Sequence, residues 1–171
     1  LAVFVFFGPE KKACKTDSLW VNAWPVLLHQ YEAIIAEKEG NGTLADSFFR
    51  EAFRIGLSNL AVMDSVNFFT EPLIEDYGRF LLRQKRYTEA VEQFQTILTW
   101  EPNSWRGYLG MALCHAQKRH KNEALDWLEK SLDHWLPTAE LATGEPLFKK
   151  IRKTKRFKIL MAKHFHETAP L

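Results

Sequence analysis

A run of cationic side chains near the C-terminus is the densest candidate for binding chemistry in this sequence. The stretch KKIRKTKRFK, at positions 149 to 158, contains seven Lys or Arg residues in ten. Such a run could contact nucleic acid, anionic lipid or an acidic protein. Because apolar residues interrupt it, we favour an amphipathic capping helix with its charges in water, and nucleic acid is an unfavoured partner. The cations of this basic patch are Lys149, Lys150, Arg152, Lys153, Lys155, Arg156 and Lys158.

Residue types and spacings do not support a catalytic, cofactor or metal site. The chain has no glycine-rich phosphate loop, no His-Glu-x-x-His motif and no cysteines at metal-ligand spacing. His164 and His166 are two residues apart, so they do not share a helix face. We expect His115 in the interior rather than as a ligand. The sequence therefore predicts no enzyme activity, no metal and no cofactor.

Charge is distributed unevenly along a chain of 171 residues, a length that suits one domain. The net charge is only +2, but positions 146 to 171 carry +7 and positions 1 to 145 carry −5. Apolar residues make up 46%, as in an ordinary globular protein. A mildly acidic body is therefore expected to carry a basic tail.

The N-terminal segment and the two cysteines bear on localisation. The opening LAVFVFFG is too short to span a bilayer, which needs about 20 apolar residues. It is either the remnant of a membrane or signal segment, or the start of a buried strand or helix. Cys14 and Cys114 are too few for a disulfide scaffold, although a single bridge is an alternative to two free thiols. We expect a cytoplasmic protein, or a membrane-tethered one if a transmembrane segment precedes Leu1.

Helical patterns dominate the elements that must position these groups. Apolar residues recur at helical spacing, and Gly, Pro and short polar turns separate the segments. The fold class is predicted to be all-α. The expected helices cover positions 18 to 38, 43 to 66, 71 to 84, 88 to 100, 105 to 118 and 122 to 135.

The last four helices repeat one pattern at a spacing of 34 residues. The stretch YTEAVEQFQTILTWEPN at position 87 is followed 34 residues later by KNEALDWLEKSLDHWLP. A fixed period over several positions is the signature of a repeat architecture. The coinciding pairs are Ile74 and Tyr108, Tyr77 and Met111, Gly78 and Ala112, Leu81 and His115, Ala90 and Ala124, and Phe94 and Leu128.

This pattern resembles the tetratricopeptide repeat. The first copy has the small residue Gly78, then Ala90, Phe94 and the late Pro102 in register. The second copy departs from the family pattern at three positions. His115 replaces an aromatic residue, Leu128 replaces Phe, and Pro137 falls one place late. The resemblance implies antiparallel helix pairs stacked into a right-handed α-α superhelix, with small residues at the helix crossings and Phe94 between pairs.

The resemblance divides the chain into four parts. Positions 1 to 16 are an apolar start and linker, and positions 17 to 70 hold helices that could form a degenerate repeat. A shift of 34 would align Gly56 with Ala90 and Leu60 with Phe94. Positions 71 to 137 form two repeats. Positions 138 to 171 resemble the closing segment of bacterial tetratricopeptide proteins, so we expect a basic capping helix whose apolar residues are Ile151, Phe157, Leu160 and Met161.

The family pattern implies that the first helix of each pair lines a concave groove. Three arginines there could pair with a carboxylate or an acidic peptide, or could simply lie on a solvated face. Some family members clamp the C-terminal carboxylate of heat-shock chaperones with Lys and Asn, but Glu75 and Arg79 stand at those places, which argues against that role. The implied groove residues are Glu75, Arg79, Leu82, Arg83, Arg106, Leu109, Leu113 and Gln117.

Three functional hypotheses remain. The favoured one is a non-catalytic scaffold that binds a protein or peptide, with an acidic or C-terminal carboxylate group as an option. The second is an accessory subunit or domain of a membrane-associated assembly, and the third is a basic-tailed adaptor for nucleic acid or anionic membrane. Trp20 and Trp24 are four residues apart on the first helix, and we expect them to cover the first repeat rather than to meet another subunit. The oligomeric state is not predicted.

Overall fold

The computed structural model describes residues 15 to 59 and 67 to 165, and these form helices and turns without a strand. The predicted all-α class is therefore confirmed, while the apolar segment LAVFVFFG lies outside the described residues. The helices are α1 (Lys15–Lys38), α2 (Gly42–Asn59), α3 (Asn67–Arg83), α4 (Tyr87–Trp100), α5 (Trp105–Gln117), α6 (Lys121–Asp133), the single-turn α7 (Glu140–Thr143), a 3-10 turn (Pro146–Phe148) and α8 (Lys155–Phe165).

Successive helices pack as pairs, α1 with α2, α3 with α4 and α5 with α6, and neighbouring pairs also contact one another. Each pair is joined by only three residues, so its two helices run antiparallel. The expected array of stacked helix pairs is confirmed. Helix α3 begins at Asn67, four residues earlier than predicted, and Pro72 therefore lies in its second turn.

One turn geometry joins the two helices of all three pairs and recurs after α6 at Trp135, and it sets the register of the array. Gly40, Lys85 and Arg119 all have a positive φ, of 80°, 61° and 65°. In each turn the amide after that residue donates to the carbonyl five residues back, as from Arg86 to Leu81 at 2.9 Å. Lys85 precedes Arg119 by 34 positions, as predicted, but follows Gly40 by 45.

The register expected for the first pair is therefore wrong. The turn alignment places Ala45 and Phe49 opposite Ala90 and Phe94, and Ala45 and Phe49 are fully buried. Gly56, which a shift of 34 placed there, is partly exposed, and a Cβ on it would touch only Val26 at 4.0 Å. The cause is length, because α2 and α3 are each four residues longer than α4 and α5, and seven positions rather than four separate the two helices.

Phe94 occupies the space between two pairs, as the repeat pattern predicts. Its side chain is fully buried, and it lies against Gly78 of its own pair. It also lies against Gly110 of the next pair, where a Cβ would meet the ring at 1.9 Å. Gly110 was not anticipated from the sequence. Ala90 and Ala124 are also buried, so small residues bring these helices close together.

A carboxylate on α2 ties the first pair to the second. Asp46 accepts hydrogen bonds from the Tyr77 hydroxyl at 2.9 Å and from Arg86 at 2.7 Å. Burial raises the pKa of Asp46, but hydrogen bonds from Arg50, Arg86 and Tyr77 outweigh it and hold the pKa below its usual 3.8. Burial and the Asp46 hydrogen bond raise the pKa of Tyr77 to about 12.

The basic tail is two elements rather than one helix. The first four cations of the basic patch lie in the turns before α8, and only Lys155, Arg156 and Lys158 lie on the helix. Five apolar residues of this segment are buried in the continuous core, while Ile159 of α8 is 55% exposed, and the role of a cap stays a prediction. The five buried residues are Phe148, Ile151, Phe157, Leu160 and Met161.

Trp24 does not cover the first pair. Its side chain is 67% exposed, so the expectation of a covering role is wrong for this residue. The side chain of Trp20 lies outside the described residues.

Candidate partner-binding groove

A cavity of about 490 Å³ opens where α3, α5 and the 3-10 turn with the preceding Glu145 converge. Five of the eight groove residues implied by the repeat pattern line it. The closing segment adds a third wall that the repeat pattern does not contain. The lining residues are Arg79, Leu82, Arg83, Lys85, Leu113, Gln117, Glu145, Pro146 and Leu147.

The floor of the cavity is apolar and fixed by the core. Leu82 and Leu113 are almost fully buried, at 3% and 1% exposed, so each offers only its tip to the cavity. Leu147 is partly buried and packs against the core from the other side. Leu109 is fully buried and does not line the cavity, so it presents no surface to a partner.

Arg79 is already paired with carboxylates of its own chain. It donates to Glu75 at 2.9 Å and to Glu145 at 2.7 Å. Burial alone would lower the pKa of the guanidinium, but attraction to Glu75 and Glu145 raises it overall. The carboxylate that Arg79 was expected to take from a partner is thus supplied by Glu145, and an acidic ligand gains no support from this residue.

Arg106 is held in the same network, away from the cavity. Its guanidinium lies 3.0 Å from Glu75 and 3.8 Å from Glu71. It also lies 4.4 Å from the centre of the Trp105 ring, within cation–π range. The network therefore orients Arg106 along the α3–α5 interface.

Arg83 and Lys85 provide the accessible positive charge at the rim. Arg83 makes a two-point pair with Glu37 of α1, at 2.6 and 2.7 Å, while its side chain stays 54% exposed. Lys85 is exposed and makes no ion pair within the described part of the chain. Sequence reasoning assigned Lys85 only to a turn, although it comes two residues after Arg83, the last groove position of α3.

The basic patch lies apart from this cavity. Arg156 pairs with Asp126 at 2.7 Å and with Glu129 at 2.9 Å, which anchors α8 to α6. The five lysines of the basic patch are exposed and make no ion pair with any residue that the structure describes. Binding of an anion by this patch stays a prediction, and it would depend on those lysines rather than on Arg156.

His115 lies on the other side of α5, between α5 and α6. Its ring centre is 6.4 Å from that of Trp127, and its Nδ1 is buried with no hydrogen-bond partner among the described residues. Within residues 15 to 59 and 67 to 165, no cluster of His, Cys, Asp or Glu has the arrangement of a metal site. No helix in the same ranges combines the length and apolar character needed to span a membrane.

Comparison with known proteins gives one weak relationship. No protein-family model matches the chain. The chain is similar to the Type IV pilus assembly protein PilF of Pseudomonas aeruginosa, at 27% identity over 145 residues. The aligned region covers 82% of this chain and 51% of PilF, so the chain spans about half the length of that relative.

Proposed function

We propose that this chain is a tetratricopeptide-type module that binds a peptide or a segment of a protein partner in its concave groove, without catalysis. The observation that carries the proposal is the cavity between α3, α5 and the closing segment, which combines an apolar floor with a cationic rim. Its volume suits one or two anchoring side chains of a partner rather than a whole helix.

The chemistry of the lining defines the ligand. An apolar side chain of the partner would contact the tips of Leu82, Leu113 and Leu147. An acidic group of the partner would contact Lys85. It would also pair with Arg83 by replacing Glu37 at that guanidinium. Such a partly exposed surface pair contributes only about 0–1 kcal/mol, so its exchange costs little. We therefore assign an acidic preference to Lys85 and Arg83, and none to Arg79.

Selection of displayed peptides on the immobilised chain tests this proposal. Enriched peptides should pair an apolar residue with Asp, Glu or a free C-terminus. Lys85→Glu should weaken their binding about tenfold or more, which corresponds to about 1.4 kcal/mol. Lys149→Glu is the matched control, because Lys149 is also exposed and lies in the basic patch. If both variants bound the selected peptides with the affinity of the wild type, the proposal that the groove is the binding site would be refuted.

A role in assembling a larger complex is the second candidate function. It is favoured by the similarity to a protein named for Type IV pilus assembly, and it extends to this chain only as a proposal. Affinity capture of the tagged chain from its own cells should recover components of one assembly, in membrane or soluble fractions alike. Recovery of no component above the level of an untagged control would count against it.

A further inference from the structure

Helix α8 presents an isoleucine to solvent in the middle of a row of lysines. Ile159 is 55% exposed, although isoleucine is among the residue types that are most often buried. Lys155 and Lys163 lie one helical turn before and after it, and Lys158 lies on the adjoining edge. These three lysines are exposed and make no ion pair with any described residue. We call Lys155, Lys158, Ile159 and Lys163 the α8 face.

The orientation of this face is fixed by the opposite side of α8. Phe157, Leu160 and Met161 are buried in the continuous core. The Phe157 amide donates a hydrogen bond to the Thr154 hydroxyl at 3.3 Å, which fixes the start of the helix. A rotation of α8 that buried Ile159 would expose the three core residues. Ile159 therefore stays at the surface.

Positive charge is unbalanced around the α8 face. Positions 146 to 165 contain eight Lys or Arg residues and no Asp or Glu. The carboxylates that contact α8 belong to α6, and they reach it on the flank of Arg156 and His164. By helical periodicity, Lys155 and Lys158 lie on the other flank. The α6 carboxylates are those of Asp126, Glu129 and Asp133. The α8 face therefore attracts anions most strongly on the side away from α6.

The kinds of side chain on the α8 face distinguish a lipid surface from a nucleic acid. Proteins that bind single strands stack bases on aromatic side chains, and proteins that read a duplex most often use arginine. Phe148 and Phe157 are buried, and Arg156, the one arginine of α8, is held by α6 carboxylates. An exposed aliphatic side chain finds no apolar contact on a phosphate backbone. At a bilayer surface it enters the boundary between headgroups and acyl chains, while nearby cations pair with lipid phosphates.

We propose that the α8 face is a docking surface for a bilayer that contains anionic phospholipids. Lys155, Lys158 and Lys163 pair with headgroup phosphates, and Ile159 inserts between them. Lys153, two residues before the helix, adds a fourth exposed cation. A cluster of about four or more basic residues on a helix surface is typical of binding to anionic headgroups. The site is separate from the groove between α3 and α5, and it does not depend on peptide binding there.

Cosedimentation of the full-length chain with lipid vesicles tests this proposal. Vesicles of phosphatidylglycerol and phosphatidylethanolamine should bind it at least about tenfold more tightly than vesicles of phosphatidylcholine, and added salt should weaken the binding. Lys158→Glu should lower the affinity at least about tenfold, because a repelled charge replaces an attracted one. Lys38→Glu is the matched control, since Lys38 is also exposed and lies on α1. It changes the net charge equally and should bind like the wild type.

A second pair of variants tests the insertion of Ile159. Ile159→Ser should lower the affinity for the anionic vesicles about fivefold, because part of an aliphatic side chain no longer leaves water. Ile35→Ser is the matched control, since Ile35 is also 55% exposed, on α1, and it should bind like the wild type. Thermal unfolding of every variant checks that the fold is retained.

Any of four results would overturn the proposal. The first is vesicle binding that is unchanged in Lys158→Glu or in Ile159→Ser. The second is tighter binding to duplex DNA than to the anionic vesicles at the same ionic strength. The third is release from the vesicles by inorganic phosphate at the concentration of the lipid phosphate. The fourth is a dimer in light scattering that dissociates on Lys158→Glu, since acidic residues of a second copy would then occupy the α8 face.

Discussion

Gly110 of α5 faces Phe94 of α4 so closely that a Cβ at position 110 would lie 1.9 Å from the Cδ1 atom of the ring. Gly78 of α3 lies against the same ring, where a Cβ would be 2.7 Å from Cζ. One phenylalanine thus fills the crossing within its own pair and the contact with the next pair. The stacking of the array depends on this three-residue arrangement.

Gly110→Ala should destabilise the fold because the added methyl group overlaps the Phe94 ring. Overpacking of this kind typically costs about 1–3 kcal/mol, and the fully buried ring has little room to move. Gly56→Ala is the matched control, since its Cβ would meet only Val26 at 4.0 Å. In a helix interior that change should stabilise by about 0.5–1 kcal/mol. Urea unfolding compares the two, and equal stability of Gly110→Ala and wild type would contradict the packing described.

Arg79→Ala should destabilise the link between α3 and the closing segment. The change leaves Glu145 without its guanidinium partner, while Glu75 keeps its pair with Arg106, and a partly buried group costs about 1–3 kcal/mol when unpaired. Arg54→Ala removes an exposed pair with Glu51 and should have a much smaller effect. Thermal unfolding of both variants checks the difference. If both variants lowered thermal stability by a similar small amount, the Arg79 network would contribute little to the stability of the fold.

His115 should make the protein less stable as the pH falls through the range where histidine titrates. Burial is the main cause that lowers its pKa below the usual 6.5, and nearby Lys118 and His120 lower it further, while Glu123 acts in the opposite direction. The unfolded chain therefore binds this proton more readily than the folded chain, and stability is lost as the pH falls through 6.5 towards the folded pKa. His115→Phe should remove this component of the pH dependence of the unfolding free energy between about pH 7.5 and 5.5. An unchanged pH dependence would contradict the partly buried position of His115.

Asp46 should have a dependence of the same sign, at lower pH. Its folded pKa lies below 3.8, so its contribution to stability is complete above that pH and is lost as the pH falls through the folded value. Asp46→Asn should lower stability at neutral pH and flatten the loss of stability below about pH 4. Acid titration of the unfolding free energy measures both effects, and parallel curves for variant and wild type would show that Asp46 is not the titrating group.

The repeat made much of the fold predictable from the sequence. Gly78, Ala90 and Phe94 belong to a local pattern, so their roles follow from a period of 34. The first pair escaped this reasoning because α2, α3 and the segment between them are together longer than α4, α5 and theirs, which shifts the offset to 45. Gly110 escaped it because the pattern does not mark that position.

The candidate groove was only partly predictable, for a different reason. Arg79, Leu82, Arg83, Leu113 and Gln117 were implied by the family pattern and line the cavity. Glu145, however, is 66 residues from Arg79 in sequence, so no local spacing could reveal their pair. The pair between Arg79 and Glu145 can be seen only in the three-dimensional structure, where the closing segment lies against α3.

Hydrogen exchange with a selected peptide bound tests the central claim, that the groove between α3 and α5 binds the partner. Saturating peptide should slow backbone exchange in the C-terminal halves of α3 and α5 and around Glu145 to Leu147, and should leave α1 and residues 149 to 158 unchanged. The same measurement on Lys85→Glu should show little protection at equal peptide concentration. Protection confined to α1 or to the basic patch would contradict the claim.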